Sequence, residues 1–160
     1  MDPTPITSDH FRHLIAQVTS RIDGRPLNAD LQVWLNEALG PQSGLYQEIK
    51  AACEAGASAG WLCERQAPDG TRFGRVFEPA DDLHGYSVDV VEMTDVVAPH
   101  HVHPTGEIDL VMPQQGDARF EGHGAGWVVY GPGSAHSPAV RGGRAYVLYL
   151  LPNGEIDFTQ

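Results

Sequence analysis

The stretch His101-Val102-His103-Pro104-Thr105-Gly106-Glu107 holds three side chains of types that commonly bind metal ions. Residues two apart in a β-strand project from the same face, so His101 and His103 can approach one ion together. Pro104-Thr105-Gly106 is typical of a tight turn, because proline and glycine favour turn backbone angles. This turn would place Glu107, at the start of the next strand, beside the two histidines. The stretch therefore predicts two strands with a metal site at their junction.

A fourth candidate ligand, His136, follows further along the chain in Gly131-Pro132-Gly133-Ser134-Ala135-His136. Because it comes just after a Pro-Gly turn, it can close the site from another strand. Three imidazoles and one carboxylate suit a divalent transition metal, and this donor set accepts iron, manganese, nickel, cobalt or zinc. We therefore predict one metal site made of His101, His103, Glu107 and His136. The alternative is a chance cluster of surface-loop histidines.

The chain changes character near residue 60. Before that point, capping residues and amphipathic spacing predict helices over 8–24, 28–40 and 43–55. After it, short alternating segments separated by turns are typical of a β-sandwich or barrel. Strands are predicted at 61–65, 72–77, 86–93, 96–103, 107–112, 118–121, 126–130 and 144–151. We expect one domain over 1–160, with a helical region of about 1–57 packed on a barrel of 58–160.

The two histidine-containing segments resemble the two motifs of the cupin superfamily, which place their ligands in the same order. The resemblance implies a mainly β fold, a jelly-roll barrel also called a double-stranded β-helix, here with an N-terminal α-helical layer. The flanking positions depart from the motifs: Asp95 stands where a glycine is expected, Gly116 comes late, and Gly131 replaces a proline. These are mostly turn and packing positions, and all four ligand positions are filled.

Composition limits the classes of partner. The formal net charge of −11 argues against binding to nucleic acid or to an anionic membrane surface. The chain has no apolar run of membrane-spanning length, and its first residues do not resemble a signal peptide, so we expect a cytoplasmic protein. Cys53 and Cys63 lack the spacing of a redox pair and are expected to be buried free thiols.

Alternation along 107–112 predicts which side chains face the metal. If Glu107 points into the barrel, so do Asp109 and Val111. The row that points outward is apolar throughout: Ile108, Leu110 and Met112. Either the N-terminal helices or a second subunit must cover this row, so a homodimer is one alternative. Asp109 is then either a general acid or base or a partner that orients a ligand histidine, and Tyr149 is a proton donor or a core residue.

Substrate-binding candidates lie on the predicted strand 72–77. Phe73, Arg75 and Phe77 would share one face in a regular strand, and two aromatic rings around a guanidinium suit a flat anionic ligand such as a benzoate. The alternative is a surface arginine lying over apolar side chains. His123, between two glycines, is either a flexible residue that reaches the pocket mouth or an ordinary loop residue.

Longer strings carry a closer resemblance. Gly106-Glu107-Ile108-Asp109-Leu110-Val111-Met112-Pro113, the segment 122–136 and Leu148-Tyr149-Leu150-Leu151-Pro152, together with 73–77, are similar to the 4-hydroxylaminobenzoate lyases of bacterial nitroaromatic degradation. The resemblance implies conversion of 4-hydroxylaminobenzoate, a small aromatic carboxylate, to 3,4-dihydroxybenzoate (protocatechuate) with release of ammonia. This reaction involves no net redox change, so we expect a divalent metal and no organic cofactor.

Two other functions compete with the lyase. One is another metal-dependent cupin enzyme such as an aromatic-ring dioxygenase, which would require oxygen. The other is a non-enzymatic cupin that senses a ligand or a metal and regulates a partner protein. Tight ligand binding without turnover would favour the sensor.

Overall fold

A computed structural model describes residues 6–158 of the chain. The first five residues, which the sequence predicts not to be a signal peptide, lie outside the described range. Three helices form the N-terminal layer: α1 (Ser8–Ile22), α2 (Ala29–Leu39) and α3 (Gly44–Ala59). Each begins after a residue whose side chain accepts a hydrogen bond from a first-turn backbone N–H: Thr7, Asn28 and Ser43. The cap of the first helix is Thr7 and not Ser8, the first residue of the range 8–24, whereas Asn28 caps the second helix as its predicted start indicates.

Nine strands follow in the described part of the chain: β1 (Arg65–Gln66), β2 (Arg72–Phe77), β3 (Tyr86–Val97), β4 (His101–His103), β5 (Glu107–Phe120), β6 (Gly126–Tyr130), β7 (Ser134–His136), β8 (Ala139–Pro152) and β9 (Asp157–Phe158). A six-stranded sheet has the order β1-β2-β3-β8-β5-β6, and a three-stranded sheet has the order β7-β4-β9. Every paired strand is antiparallel. This mainly β architecture beneath a helical layer is the cupin fold that the sequence predicts.

Several strand boundaries differ from the prediction. The predicted strand 96–103 is divided, because β3 ends at Val97 and β4 begins at His101. In contrast, β5 runs through to Phe120 and includes the segment predicted as a separate strand at 118–121. Its pairing with β8 shifts register on both sides of Gly116, where φ is 68°. A Cβ at Gly116 would lie 2.4 Å from the carbonyl oxygen of Gly142, so glycine permits the bulge that keeps the strand continuous.

The helices cover the outer face of the larger sheet. Ile108, Leu110 and Met112 are fully buried in a cluster that also contains apolar residues of all three helices. Val111 belongs instead to the second cluster, inside the barrel, with Val147 and Tyr149. The predicted alternation of β5 is therefore confirmed, and the helical layer is the cover of its outward row.

Helix α2 also protects the edge of this sheet. The Gln32 side-chain oxygen accepts a hydrogen bond from the Val129 backbone N–H (2.8 Å). The Asn36 amide accepts from the Trp127 N–H (2.7 Å) and donates to the Trp127 carbonyl (2.9 Å). Since β6 is the last strand of the sheet, these bonds satisfy backbone groups that would otherwise remain open to another strand.

Two further expectations are tested by the described residues. Cys53 and Cys63 are buried free thiols, as predicted. Between residues 6 and 158, no helix is long and apolar enough to cross a lipid bilayer.

Candidate metal centre

The four predicted ligands come together between the two sheets. β4 carries His101 and His103 on one face, and His136 on β7 lies opposite His101 in the antiparallel pairing. Glu107 is the first residue of β5, directly after the turn. One potential ligand atom from each of the four residues lies within 4.8 Å of the others. The turn and the alternation of β4 therefore position the cluster as the sequence predicts.

The centre of this cluster is the Glu107 carboxylate. Its oxygens lie 3.6 Å from Nε2 of His101, 3.3 Å from Nε2 of His103 and 3.7 Å from Nε2 of His136. Glu107 and His103 are fully buried, yet among the described residues none of these carboxylate oxygens or Nε2 atoms has a hydrogen-bond partner. Buried polar atoms normally have partners. Five unpaired atoms that converge on one point fit a divalent cation with mixed nitrogen and oxygen ligands.

The other ring nitrogens help to orient the histidines. Ser134 Oγ donates to the Gly131 carbonyl (2.6 Å), so it accepts from Nδ1 of His103 at 2.9 Å. Nδ1 of His101 lies 3.4 Å from the Pro99 carbonyl, which can only accept. When Nδ1 carries the proton, the lone pair of a neutral imidazole is on Nε2. Both rings therefore present a metal-binding nitrogen to the centre.

The pKa values of the two buried carboxyl groups, Glu107 and Asp109, are shifted in opposite directions. Burial disfavours the charge on Glu107, but when no metal occupies their Nε2 atoms the three histidines can donate hydrogen bonds to its carboxylate, and these hold its pKa well below the usual value. Burial raises the pKa of Asp109 well above its usual value, and the negative charge of Glu107 raises it further. Burial thus disfavours the charge on both carboxyl groups, and the neighbouring histidines favour the charged form of Glu107.

A cavity of about 1000 Å³ opens beside this centre. Two residues connect it to the cluster: His101, a candidate ligand, and Tyr149, the cross-strand partner of Asp109. Phe73 and Arg75 lie in its wall. Phe158 of β9 also lines the cavity, with its ring centroid 5.6 Å from that of His101. The cavity can therefore hold an organic ligand with one end next to the metal ligands.

Comparison with known proteins identifies the family of this chain. A family model described as 4-hydroxylaminobenzoate lyase (PnbB) matches residues 13–158. The chain belongs to the 4-hydroxylaminobenzoate lyase family. A 4-hydroxylaminobenzoate lyase of Nocardioides sp. (strain LMS-CY) is 35% identical over 149 residues, which cover 87% of each chain.

A second relative and one solved structure are also similar to this chain. A 4-hydroxylaminobenzoate lyase of Pseudomonas putida is 30% identical over 167 residues, covering 94% of each chain. Among solved structures, an RmlC-like cupin protein from Ralstonia eutropha JMP134 has a TM-score of 0.44 and 17% identity. It covers 59% of this chain and 64% of that one.

The structure corrects the predicted aromatic face of this family member. The pairing of β2 with β3 shifts register between Arg75 and Phe77, so the two side chains no longer follow simple alternation. Phe77 packs under the helices, 5.9 Å from the ring of Phe11 and 4.9 Å below the guanidinium of Arg12. The prediction that Phe73, Arg75 and Phe77 share one face is therefore wrong for Phe77.

Tyr149 and His123, two other candidate site residues, differ in burial. Tyr149 is buried between Asp89 on β3 and Asp109 on β5, which are its partners on the two neighbouring strands. Burial raises the pKa of the Tyr149 hydroxyl well above its usual value. His123 is exposed, and its backbone pairs with that of Phe120 outside the residues that line the cavity.

Three features of the site were not predicted from the sequence. Asp89 lines the cavity, and its position as the polar residue between Val88 and Val90 could have indicated an inward-facing group. Ser134 is a common turn residue, so nothing in its local sequence indicates the bond to His103. Phe158 is separated from the motifs by the whole of β8, and only tertiary structure places it beside His101.

Proposed function

We propose that this protein is a metal-dependent carbon–nitrogen lyase that converts 4-hydroxylaminobenzoate into protocatechuate and ammonia. The observation that supports this most is a three-histidine, one-glutamate cluster that borders a cavity with aromatic and cationic walls, in a chain of this family. The substrate is then a small aromatic carboxylate of the size of one ring. A cytoplasmic location is a prediction from the sequence alone. The homodimer was an alternative cover for the outward row of β5, which the helices occupy.

The overall reaction balances with water alone. The hydroxylamine N–O bond breaks and its oxygen leaves as water, one water adds to the adjacent ring carbon, and a second hydrolyses the imine to release ammonia. One water is therefore consumed in total, and no electrons are exchanged with another molecule. An organic redox cofactor is not required by this stoichiometry.

His101, His103, Glu107 and His136 would hold the metal. A divalent metal bound there supplies Lewis-acid polarisation of an oxygen on the substrate. The cluster borders the cavity at His101, so the hydroxylamine end of the substrate would lie there.

The surrounding side chains would handle the proton and the ring. Asp109 is fully buried, and burial raises the pKa of its carboxyl group, so it is suited to protonate the departing oxygen. Tyr149 lies beside it and lines the cavity, where its hydroxyl could orient the same oxygen. Phe73 would contact the aromatic ring. An Asp109→Asn variant tests the acid role, because it keeps the shape of the side chain and removes the acidic proton.

The deciding experiment is an anaerobic assay. Purified protein loaded separately with each candidate metal is mixed with 4-hydroxylaminobenzoate, and ammonia and protocatechuate are measured together. Equal amounts of both products without oxygen are expected, with loss on chelation and recovery when the metal is restored. Turnover only in the presence of oxygen would instead identify a dioxygenase, and binding without product would identify a sensor.

A further inference from the structure

Two guanidinium groups line the cavity in the described part of the chain, those of Arg65 and Arg75. A carboxylate substrate needs a cation or strong hydrogen-bond donors at the end away from the metal, and arginine offers a planar pair of donors that matches a carboxylate. The two arginines have very different surroundings. Those surroundings decide which one is available to a ligand.

Arg75 is already engaged on all three of its nitrogen atoms. Nε donates to Asp89 (3.2 Å), Nη1 to Glu78 (3.4 Å) and Nη2 to the Gly154 carbonyl (3.1 Å). Two carboxylates therefore face one guanidinium, and 28% of the Arg75 side chain is exposed. An incoming carboxylate would have to displace one of these partners. Arg75 is better explained as a residue that joins β2, β3 and the C-terminal segment.

Arg65 has none of these contacts. It is exposed on β1, and in the described residues no ion pair or hydrogen bond involves its side chain. The pairing of β1 with β2 places it directly opposite Phe73, so both side chains project from the same face of the sheet. Both also line the cavity. Arg65 and Phe73 thus form an adjacent cation and aromatic ring at the cavity wall.

We propose that Arg65, with Phe73 beside it, is the specificity-determining residue that recognises the carboxylate of the aromatic substrate, and that Arg75 has a structural role. The inference rests on the proposed function for the identity of the reaction, but it concerns only carboxylate recognition. An exposed cation in the cavity wall matters more in this protein because the net charge of −11 repels anions. Glu64 and Asp69 also line the cavity, and neither forms an ion pair with Arg65.

The test uses two ligands that differ only in charge. Binding of 4-hydroxybenzoate and of neutral 4-hydroxybenzamide to the metal-loaded protein is measured by titration calorimetry. The variants are Arg65→Gln, Arg65→Lys and Arg75→Gln, with Arg21→Gln as a control that removes the same charge from an exposed position on α1.

Arg65→Gln is expected to weaken binding of the carboxylate about tenfold and to leave binding of the amide unchanged, as for loss of a hydrogen bond to a charged group. Arg65→Lys should recover part of the loss. Arg75→Gln should lower the melting temperature while the preference for the anion persists, and Arg21→Gln should behave like the unmodified protein.

Two results would overturn the proposal: a preference for the anion that survives in Arg65→Gln, or one that disappears in a folded Arg75→Gln variant. The ammonia assay separates this result from the proposed reaction. If no ammonia is released but the preference for the anion depends on Arg65, the reaction is wrong and carboxylate recognition stands. If ammonia is released and the preference does not depend on Arg65, the reaction stands and this inference fails.

Discussion

The two faces of strand β5 are both buried, but they differ in the contacts that their side chains make. On the outer face, Ile108 and Leu110 are fully buried against the helical layer, where apolar contact is itself the stabilising interaction. On the inner face, Glu107 and Asp109 are equally buried, and none of their carboxyl oxygens has a hydrogen-bond partner among the described residues. Burial of unpaired carboxyl groups costs stability. The inner face therefore has polar groups that a bound ligand could pair with, whereas the outer face contributes apolar packing that stabilises the fold.

This difference predicts that substitutions on the two faces affect different measurements. Changes inside should alter metal content and turnover, with little loss of folding stability. Changes outside should lower the free energy of unfolding, with little effect on the turnover of molecules that remain folded.

The largest effect is expected for His103→Ala on the inner face. Loss of partners that merely orient a ligand costs about 10- to 100-fold in metal affinity or activity, so loss of the ligand itself should lower ammonia release by at least about 100-fold. Metal analysis, the anaerobic assay and circular dichroism check this. His13→Ala, an exposed change on α1, is the matched control. Unchanged metal content and activity in His103→Ala would remove this histidine from the site.

On the outer face, Leu110→Ala should lower the free energy of unfolding by about 2 to 5 kcal/mol, because it leaves a cavity beneath the helices. Urea denaturation measures the loss, and kcat/KM of the folded fraction should stay near that of the unmodified protein. Val33→Ala changes an exposed residue of α2 and should cost less than about 0.5 kcal/mol. A large fall in kcat/KM of folded Leu110→Ala would contradict the separation of the two faces.

Ser134→Ala tests whether the bond to His103 Nδ1 matters for the metal. Removing the acceptor should weaken metal binding by about 10- to 100-fold with only a small change in unfolding free energy. Competition with a chromophoric chelator measures the affinity. Ser134→Thr keeps the hydroxyl and should restore most of the affinity, so equal losses in the two variants would argue against the role of this bond.

The smallest of these effects is expected at the sheet edge. Asn36→Ala removes the acceptor of the Trp127 N–H and the donor to its carbonyl, and should cost about 1 to 2 kcal/mol of unfolding free energy. The loss should be at the low end because Asn36 itself is exposed and water can replace part of the contact. Turnover should not change. A loss as large as that of Leu110→Ala would mean that α2 depends on this contact more than on apolar packing.

Much of the site could be predicted because its pattern is local. His101, His103 and Glu107 are brought together by alternation in one strand and a single turn, which the residue types specify directly. The motif around His136 supplied the fourth ligand, and the apolar row of β5 was recognisable from its spacing. The division of strand 96–103 and the long continuation of β5 could not be predicted from spacing, because they depend on pairing with β8.

The sequence alone was sufficient for a β-sandwich or barrel, for the junction of His101, His103 and Glu107, and for the inward direction of Asp109, since these follow from a period of two residues and short-range turn chemistry. The resemblance to the cupin motifs implied the type of barrel and supported His136 as the fourth ligand. Tertiary structure decided that helices cover the outer row and that Phe77 lies beneath them. It also decided that Arg75 is engaged by three partners, whereas the side chain of Arg65 has no ion pair or hydrogen bond within residues 6–158. These outcomes depend on a register shift and on contacts between residues far apart in the chain. Such contacts exist only after the sheets and helices have packed together.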